Sequence, residues 1–469
     1  MNWKNKGVFT AIFIAAICSG CKIKTGPAPK PNVIFVFADQ WRAQALGYMG
    51  NSQVKTPWID QLARESVNFT LAISNCPVCS PTRASIMTGQ YSLNHGIFYN
   101  DKHLPAEAVT MAEVFKQNGY ATGYIGKWHL NGHPRGENLM EHREKPVPKE
   151  NRQGFDYWKV LECTHDYNHS LYYDEDNTPH YWEGYDAIAQ TDSALAFIKN
   201  NKDHPFLLML SWGPPHAPYL TAPDSFRVMY DSADIRLRDN VPEENAGRAR
   251  KQIAGYYAHC TALDHCISEL QESIRKSGLE KNTIFVFTSD HGDMLHSHGK
   301  QKKQKPWDES IRVPLLIKYP LLLKPSQNSI PFSSPDFMPT LLGLSGIAIP
   351  ESVEGNDFSG FLLGREQPDI DAALIMCPVP FHQWKRERGG KEYRGFRTRR
   401  YTYVRDLEGP WLLYDNQEDP YQLNNLVGDP AFADIQKGLE EKLSRLLQET
   451  GDEFLHADEY MKRWNYDYD

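Results

Sequence analysis

Three stretches of this chain, far apart in the sequence, are uninterrupted runs of apolar residues rich in β-branched and aromatic side chains. They are residues 32–38 (NVIFVFA), 206–211 (FLLMLS) and 283–288 (TIFVFT). A strand that does not alternate between apolar and polar residues is buried on both faces, as in a parallel sheet covered by helices. The sequence therefore predicts an α/β fold built on parallel strands.

Polar side chains directly follow two of these runs. Asp39 and Gln40 follow the first run, and Asp290 and His291 come shortly after the third. The carboxyl ends of parallel strands form the crevice in which open α/β sheets bind ligands. Either pair alone is most simply a polar loop after a strand. Together, the four residues make a mainly oxygen set of ligands that suits a hard divalent cation.

A short polar turn with a cysteine at its mouth precedes a segment that can form a helix. It has the sequence CSPTRASIMTG and runs from Cys79 to Gly89. Pro81 is tolerated near a helix start, since its missing N–H would have no partner there. Cys79 would then face unpaired backbone N–H groups and the positive end of a helix dipole, which favours an anion. Taken alone, the pattern fits a buried structural cysteine better.

The composition limits the classes of function. With 469 residues, 41% of them hydrophobic, the chain can bury a large core, and two domains are a reasonable expectation. Its net charge of -8 and its isoelectric point near 6.1 argue against general binding of nucleic acid. An anionic substrate would therefore have to be attracted by a local group of cations.

The N-terminal residues have the features of a secretory signal. Lys4 and Lys6 precede an apolar run over residues 8–17, which is too short to span a membrane. We predict a signal peptide over residues 1–20 and an extended tether over residues 21–31. Small residues before Cys21 resemble a bacterial lipoprotein signal. We expect attachment through a lipidated Cys21, in the periplasm or at the outer membrane, with simple cleavage as the alternative.

Two strings make the chain similar to a known family. One is Cys79-x-Pro81-x-Arg83 followed by Thr-Gly at residues 88–89, and the other is GKWH at residues 126–129. They resemble the signature of the formylglycine-dependent sulfatases. The resemblance extends from about residue 32 to about residue 447. It implies an alkaline phosphatase-like fold: a large mixed, mostly parallel sheet flanked by helices, with a small C-terminal antiparallel α+β subdomain.

The same resemblance suggests where the chain divides. We expect a catalytic domain over residues 32–365 and a C-terminal subdomain over residues 366–469. In the subdomain, residues 396–404 and 411–415 resemble two strands of the antiparallel sheet. The apolar spacing of Ile435, Leu439, Leu443 and Leu446 predicts a helix after them.

In this family the cysteine of the first string is oxidised to 3-oxoalanine, an aldehyde-bearing residue also called formylglycine. The resemblance implies this conversion at Cys79, with a formylglycine-generating or an anaerobic sulfatase-maturating enzyme as partner. The hydrated aldehyde is a gem-diol, one hydroxyl of which attacks sulfur. A thiol could not replace it, because the cycle needs a second hydroxyl to expel sulfate.

The resemblance also implies roles for five further side chains. Arg83, Lys127 and Lys303 would bind the sulfate oxygens, since cations stabilise the charge of the transferring group. His216, with or without help from Lys303, would protonate the departing sugar oxygen. His129 would take a proton from the second hydroxyl.

Lys303 belongs to a basic run over residues 300–305, which in isolation is simply a solvated surface. The family places one lysine four residues after a Gly and nine before the Arg of an Arg-Val-Pro string. Counting from Gly299 and back from Arg312 gives the same residue, Lys303. The other three lysines of the run are therefore not expected to act.

The family's metal ligands correspond here to Asp39, Gln40, Cys79, Asp290 and His291. Many sulfatases have Asp where this chain has Gln40, and Asn where it has His291. The first difference lowers the charge of the ligands, and the second admits Mg²⁺ or Mn²⁺ beside Ca²⁺. We expect Ca²⁺, with Mg²⁺ or Mn²⁺ as alternatives.

Residues 153–185 form an insertion-like stretch rich in aromatic and histidine side chains. Rings that stack on sugar faces, beside groups that hydrogen-bond hydroxyls, are what a carbohydrate subsite requires. Ordinary loop packing explains the composition equally well. We predict that His165 and His169 contact a sulfated oligosaccharide, derived from an algal polymer such as ulvan or from a glycosaminoglycan.

Two other functions compete with this one. A phosphodiesterase or phosphonate monoester hydrolase of the same superfamily would share the site, and the Asp290–His291 pair favours it. A non-catalytic glycan-binding lipoprotein would have lost some of these residues, yet all are present. Conversion of Cys79, and the relative turnover of aryl sulfate and aryl phosphonate, distinguish the three.

Overall fold

The structure is a computed structural model that describes residues 30–133 and 138–467. The predicted signal peptide, the tether up to residue 29 and Cys21 lie outside these residues. Across the described ranges, no helix combines the length and the apolar character that crossing a membrane requires.

The strands are numbered in chain order. They are β1 (Asn32–Asp39), β2 (Val67–Phe69), β3 (Ala72–Ile73), β4 (Ala121–Lys127), β5 (Tyr157–Leu161), β6 (Leu171–Tyr173), β7 (Pro179–Tyr181), β8 (Phe206–Pro215), β9 (Thr283–Ser289), β10 (Arg312–Val313), β11 (Leu315–Lys318), β12 (Ser326–Asn328), β13 (Phe332–Ser333), β14 (Ala372–Cys377), β15 (Tyr393–Thr398), β16 (Tyr401–Asp406) and β17 (Gly409–Asp415). The three apolar runs of the sequence are thus β1, β8 and β9.

The helices are also numbered in chain order. They are α1 (Pro57–Arg64), α2 (Cys79–Thr88), α3 (Met111–Gln117), α4 (Leu139–Arg143), α5 (Asp186–Asn201), α6 (Asp224–Arg227), α7 (Ala246–Lys276), α8 (Asp308–Ile311), α9 (Phe337–Leu344), α10 (Ser359–Leu362), α11 (Ala433–Glu449) and α12 (Ala457–Arg463). Short 3-10 turns lie between several of them.

A ten-stranded sheet of order β12-β2-β11-β9-β1-β8-β4-β5-β6-β7 forms the centre of the fold. Its five central strands, from β9 to β5, are parallel, while antiparallel pairs join β11 to β9 and β5 to β6. This is the large, mixed and mostly parallel sheet that the sequence predicts, and the prediction is confirmed. A three-stranded sheet, β10-β3-β13, lies beside it.

Strand β1 shows why the central strands carry no polar alternation. Its side chains point to opposite faces in turn. Val33 and Phe37 pack into a core that includes residues of α3 and α9, whereas Ile34 and Val36 pack into a second core with residues of α1, α5 and α7. All four are at most 1% exposed. Both faces of the sheet are therefore covered by helices.

The C-terminal sheet is antiparallel, as expected, and has the order β14-β15-β16-β17. The expectation of a single strand over residues 396–404 is wrong, because that stretch contains the end of β15, a turn and most of β16. The hydroxyl of Thr398 closes the turn by accepting from the backbone N–H groups of Arg400 (3.2 Å) and Tyr401 (2.8 Å). The predicted helix is α11, which buries Leu439 and Leu443. The boundary at residues 365/366 stays a prediction.

Candidate active site

The carboxyl ends of four neighbouring strands surround the first residue of α2. β1 ends at Asp39 and β4 at Lys127, while Asp290 and His216 directly follow β9 and β8. Because these strands are parallel neighbours, their ends meet at one edge of the sheet. Cys79 begins α2 and lies against this edge, with its Sγ 3.7 Å from Oδ1 of Asp39.

Four fully buried side chains at this edge could hold a metal ion. Asp39, Cys79, Asp290 and His291 each offer one ligand atom, and these atoms lie within 4.8 Å of one another. The Nδ1–H of His291 donates to the carbonyl of Gly292 (2.9 Å), which leaves Nε2 as the lone-pair nitrogen. This Nε2 lies 3.2 Å from Sγ of Cys79 and 3.6 Å from Oδ1 of Asp39.

The charges of this cluster also suit a cation. Burial and the neighbouring Asp39 raise the pKa of Asp290, as expected for two carboxylates held close together. Burial alone would also raise the pKa of Asp39, but Lys127 and the other surrounding cations hold it well below the usual value. A divalent cation between the two carboxylates would relieve their repulsion.

Gln40 lies beside the cluster and fits a ligand role. Its backbone N–H donates to Oδ1 of Asp290 (3.0 Å), and its side-chain Nε2 donates to Oδ2 of Asp293 (2.7 Å). Its Oε1 is buried and has no hydrogen-bond partner among the described residues. An unpaired buried oxygen is costly, so a bound cation would complete its environment. The donor set as a whole fits an oxygen-preferring divalent cation.

Cys79 is surrounded by positive charge. Nζ of Lys303 donates to Sγ of Cys79 at 2.7 Å. Burial and Asp39 act to raise the pKa of the Cys79 thiol, but Lys127, Lys303 and His291 outweigh them and hold it well below its usual value. Position 79 thus favours a negatively charged group.

The other three lysines of the run 300–305 do not make this contact. Nζ of Lys305 donates to the carbonyls of Gln301 (2.9 Å) and Lys303 (2.6 Å). Lys300 lies over the ring of Trp384, and Lys302 lines the cavity described below. The structure therefore places Lys303, among these four, against Cys79.

Arg83 lies elsewhere than expected. The sequence placed it on the sulfate, but its guanidinium is 1% exposed and does not line the cavity. Its Nε donates to Oδ2 of Asp290 (3.1 Å) and its Nη1 to Oγ of Ser211 (2.7 Å). Two buried carboxylates attract the nearest cation, because an unpaired buried charge is strongly unfavourable. In this structure Arg83 pairs with Asp39 and Asp290, the two carboxylates of the candidate metal site.

A cavity of about 520 Å³ opens in front of Cys79. Ten of the residues that line it are basic or histidine: Lys127, Arg143, Lys302, Lys303, Lys385 and Arg388, with His129, His165, His216 and His382. None of the described lining residues is acidic. This local cation cluster, in a chain of net charge -8, gives an anionic ligand a place to bind.

Two of the predicted histidines form a stacked pair in this cavity. The rings of His165 and His216 are 4.7 Å apart and inclined by 19°. The Nδ1–H of His216 donates to the carbonyl of Ala217 (2.8 Å). Burial and the neighbouring Lys303 hold the pKa of His216 well below its usual value. His216 therefore rests in its neutral form, and it needs a bound anion to gain the proton that an acid would donate.

His129 is held by a carboxylate that the sequence did not reveal. Its Nε2 lies 3.1 Å from Oδ1 of Asp101, and Nη2 of Arg143 donates to both oxygens of the same carboxylate at 2.7 Å. Burial acts to lower the pKa of His129, but Cys163 and Asp101 raise it to about 9. Its Nδ1 has no partner among the described residues. The base expected at His129 is thus protonated at neutral pH.

His169, the second predicted sugar contact, does not line the cavity. Its backbone N–H donates to Oδ1 of Asp166 (3.1 Å), which closes a local turn. The turn directs its ring onto Tyr181 of β7, at 4.4 Å and 14°. His165 lines the cavity, whereas His169 is exposed outside it, and its contact with a sugar stays a prediction.

Several residues in or beside the cavity escaped the sequence analysis. Asp101 and Arg143 lie in loops and a short helix without a recognisable pattern. Asp293, which orients Gln40, lies two residues after His291 but has no role in the sequence prediction. Residues 381–388 come from the C-terminal part of the chain, and their only signal is the charged string KRER at residues 385–388.

Comparisons with known proteins agree with this geometry. A sequence model described as Sulfatase matches residues 31–347, and one described as N-sulphoglucosamine sulphohydrolase, C-terminal, matches residues 296–449. An ulvan-active sulfatase of Formosa agariphila is 46% identical over 448 residues, which cover 93% of this chain and 85% of that protein. An endo-4-O-sulfatase of Bacteroides thetaiotaomicron is 30% identical, covering 94% and 96%.

A solved structure shares the fold. The crystal structure of a Bacteroides fragilis protein described as a sulfatase superposes with a TM-score of 0.81 at 30% identity, covering 92% of this chain and 97% of that one. The family model spans well over half of the chain, and the relatives span nearly all of it. This chain therefore belongs to the sulfatase family and is a sulfuric ester hydrolase.

Proposed function

We propose that the ester hydrolysed by this sulfatase is a sulfated carbohydrate, an oligosaccharide released from an algal polymer such as ulvan or from a glycosaminoglycan. The cavity in front of Cys79 carries the proposal. Its cations suit an anionic ester, and its volume of about 520 Å³ leaves room for a sugar beside the sulfate. Two relatives bear names of the same kind, ulvan-active sulfatase and endo-4-O-sulfatase.

The nucleophile that we propose is Cys79 converted to 3-oxoalanine. A formylglycine-generating or anaerobic sulfatase-maturating enzyme would oxidise the CH₂–SH group to an aldehyde. The hydrated aldehyde would supply one hydroxyl for attack on sulfur and a second for release of sulfate. The position is prepared for such a group, because Lys303 already donates to the atom at the end of this side chain.

The cofactor that we propose is a divalent cation, with Ca²⁺ first and Mg²⁺ or Mn²⁺ as alternatives. Asp39, Gln40, Asp290 and His291, with residue 79, would hold it. It would supply positive charge against the transferring sulfate. Arg83 keeps Asp290 in place and offsets part of the charge of the two carboxylates.

The remaining groups bind the ester and move protons. Lys127 and Lys303 would bind sulfate oxygens at the inner end of the cavity. The negative ester would oppose the effect of Lys303 on His216 and so raise the pKa of this histidine, which lets it protonate the leaving sugar oxygen. His129, once it has lost its proton, would accept one from residue 79 through its free Nδ1.

We also propose that the enzyme works outside the inner membrane, in the periplasm or at the outer membrane. The signal-like residues 1–20 and Cys21 support this location. Globomycin, which blocks lipoprotein signal cleavage, would leave the precursor uncleaved if Cys21 is lipidated. Normal processing in its presence would contradict the anchor.

The reaction is tested on protein whose residue 79 has been shown by mass spectrometry to be converted. Sulfate release is measured by ion chromatography with ulvan, carrageenan, fucoidan, heparan and chondroitin oligosaccharides, and with aryl sulfate and aryl phosphonate. Cys79→Ala is the matched control. We expect release from at least one glycan at a rate above that for the aryl sulfate.

Other outcomes would point elsewhere. Faster turnover of the aryl phosphonate would favour phosphonate monoester hydrolysis, to which the Asp290–His291 pair is also suited. Sulfate release by protein whose Cys79 is unconverted would contradict the proposed nucleophile. Good turnover of aryl sulfate with no release from any glycan would overturn the carbohydrate substrate.

A further inference from the structure

The cavity has a buried inner end and an exposed mouth, and cations lie at both. Lys127 and Lys303, at the inner end, are 7% and 6% exposed. Each already has a partner: Lys127 lies 2.5 Å from Oδ2 of Asp39, and Lys303 lies 2.7 Å from Sγ of Cys79. Lys385 and Arg388 are exposed residues that line the same cavity.

Lys385 and Arg388, the two cations at the mouth, differ in their contacts from Arg386, which lies between them in the sequence. Arg386, between them, forms an ion pair with Glu392. Within the described parts of the chain, no carboxylate lies at ion-pair distance from Lys385 or Arg388. Arg143, which also lines the cavity, is fully engaged by Asp101. Lys385 and Arg388 are therefore available to a ligand.

A closed turn presents these two side chains. The carbonyl of Lys385 accepts from the backbone N–H groups of Arg388 (2.9 Å) and Gly390 (3.0 Å). Trp384, directly before the turn, is 2% exposed and packs in the core of the C-terminal sheet. A turn fixed in this way loses little conformational entropy when a ligand binds.

The turn is also tied to the inner end of the cavity. The backbone N–H of Phe381 donates to Oε1 of Gln304 (3.2 Å), and Nε2 of Gln304 donates back to the carbonyl of Phe381 (3.2 Å). Gln304 directly follows Lys303, whose Nζ reaches Cys79. Gln304 therefore connects the chain segment before the turn of Lys385 and Arg388 to Lys303. This connection fixes the mouth of the cavity relative to the expected sulfate position.

A sulfate monoester carries a single negative charge, and the inner cations face it. Lys385 and Arg388, at the mouth, would then pair with a second negative charge on the ligand. We propose that Lys385 and Arg388 form a second anion subsite, which binds a carboxylate or second sulfate on the sugar that carries the scissile ester or on its neighbour. This inference rests on the proposed carbohydrate substrate and narrows it to oligosaccharides that carry at least two negative groups.

The test compares three disaccharides: a monosulfated neutral one, a monosulfated one with a uronate carboxylate, and a disulfated neutral one. kcat and KM are measured for wild type, Lys385→Gln, Arg388→Gln and the double variant. Arg399→Gln is the matched control, because Arg399 is exposed and lies on the turn between β15 and β16, away from the cavity. Arg399→Gln removes one positive charge, as each single replacement does. Any change in KM that it causes measures the long-range attraction between the protein's net charge and the anionic substrate.

We expect each single replacement to raise KM for a dianionic disaccharide about threefold, and the double replacement to raise it about tenfold. The KM for the monosulfated neutral disaccharide should rise less in every variant. Arg399→Gln should leave all three KM values unchanged. Which dianionic substrate responds more shows whether the second group is a carboxylate or a sulfate. Both replaced side chains are exposed, and equal unfolding midpoints would show that the variants fold as wild type does.

Two results would overturn the inference. One is an unchanged ratio of KM values between dianionic and monoanionic disaccharides in the double variant. The other is an equal change in Arg399→Gln, which would show attraction by net charge alone. Failure of the wild-type enzyme to release sulfate from any glycan is a different result, because it overturns the proposed substrate itself.

Discussion

Nζ of Lys303 lies 2.7 Å from Sγ of Cys79, although 224 positions separate the two residues in the sequence. The contact joins the start of α2 to the loop after β9. It places a cation at the atom where the proposed nucleophile would be formed. We therefore expect the lysine to hold that group and to contact the sulfate that it attacks.

The first prediction follows from this contact. Lys303→Met should lower kcat/KM for an aryl sulfate about a hundredfold or more, because a donor aimed at the reacting group is removed. Lys300→Met is the control, since Lys300 lies over Trp384 and outside the cavity, and its loss should be within about twofold. Steady-state kinetics give both values. Similar losses in the two variants would show that the run of lysines acts only through its total charge.

The second prediction concerns the metal. After chelation, added Ca²⁺ should raise the unfolding temperature, because an ion that binds only the folded state at 100 times its Kd adds about 2.7 kcal/mol. Asp290→Asn should abolish this response. Asp101→Asn is the control, since Asp101 is a buried carboxylate near the cavity but outside the cluster, and it should keep the response. A response that survives in Asp290→Asn would place the ion elsewhere.

The third prediction is a pH dependence that follows from His129. The pKa of His129 is raised to about 9, so the neutral form needed to accept a proton grows as the pH rises toward 9. A turnover step limited by this base should quicken over that range. Asp101→Asn removes a negative neighbour, which lowers the pKa and moves the rise in the pH profile to lower pH. A profile that is the same in both enzymes would exclude His129 as the base.

The same shift affects stability, with a definite sign. The folded-state pKa of about 9 lies above the ordinary value of 6.5 that applies to the unfolded chain. The stabilisation is therefore fully present below about pH 6.5 and is lost as the pH rises through 9. Urea unfolding at a series of pH values should show wild type losing more stability than Asp101→Asn across this interval.

The sequence allowed much of the fold to be predicted, because buried parallel strands have a distinct apolar pattern. β1, β8 and β9 were recognisable for this reason. The hairpin of β15 and β16 was not, since the closing turn depends on a hydroxyl of Thr398 that accepts two backbone N–H groups. Such local hydrogen bonds leave no periodic signal.

The site was predictable only in part, and the reason is again physical. The string GKWH singled out Lys127 and His129 through its resemblance to the sulfatases, and both side chains line the cavity. The direction of a side chain depends on the charges around it, and Arg83 turned toward Asp290 because two buried carboxylates lie there. Residues 381–388 reach the cavity through tertiary packing on Gln304, which no nearby string reveals.

The last prediction tests what holds the C-terminal part of the chain together. Arg394 of β15 and Asp452 are 0% and 2% exposed at their side chains and form an ion pair. The hydroxyl of Tyr460 in α12 donates to Oδ1 of Asp452 (2.9 Å) and accepts from Nη2 of Arg394 (3.1 Å). Removing one member of such a buried pair leaves the other charge without compensation.

Arg394→Met should therefore lower the free energy of unfolding by about 3–5 kcal/mol, measured by urea denaturation. Arg463→Met is the control, since it breaks an exposed pair with Glu453, which water screens, and should change the stability little. Adding Asp452→Asn to Arg394→Met should restore part of the loss, because it removes the unpaired buried charge. Neither residue lines the cavity, so the folded variants should keep wild-type KM for an aryl sulfate. A loss in Arg394→Met no larger than that in Arg463→Met would show that apolar packing of α11 and α12, rather than this ion pair, holds them to the C-terminal sheet.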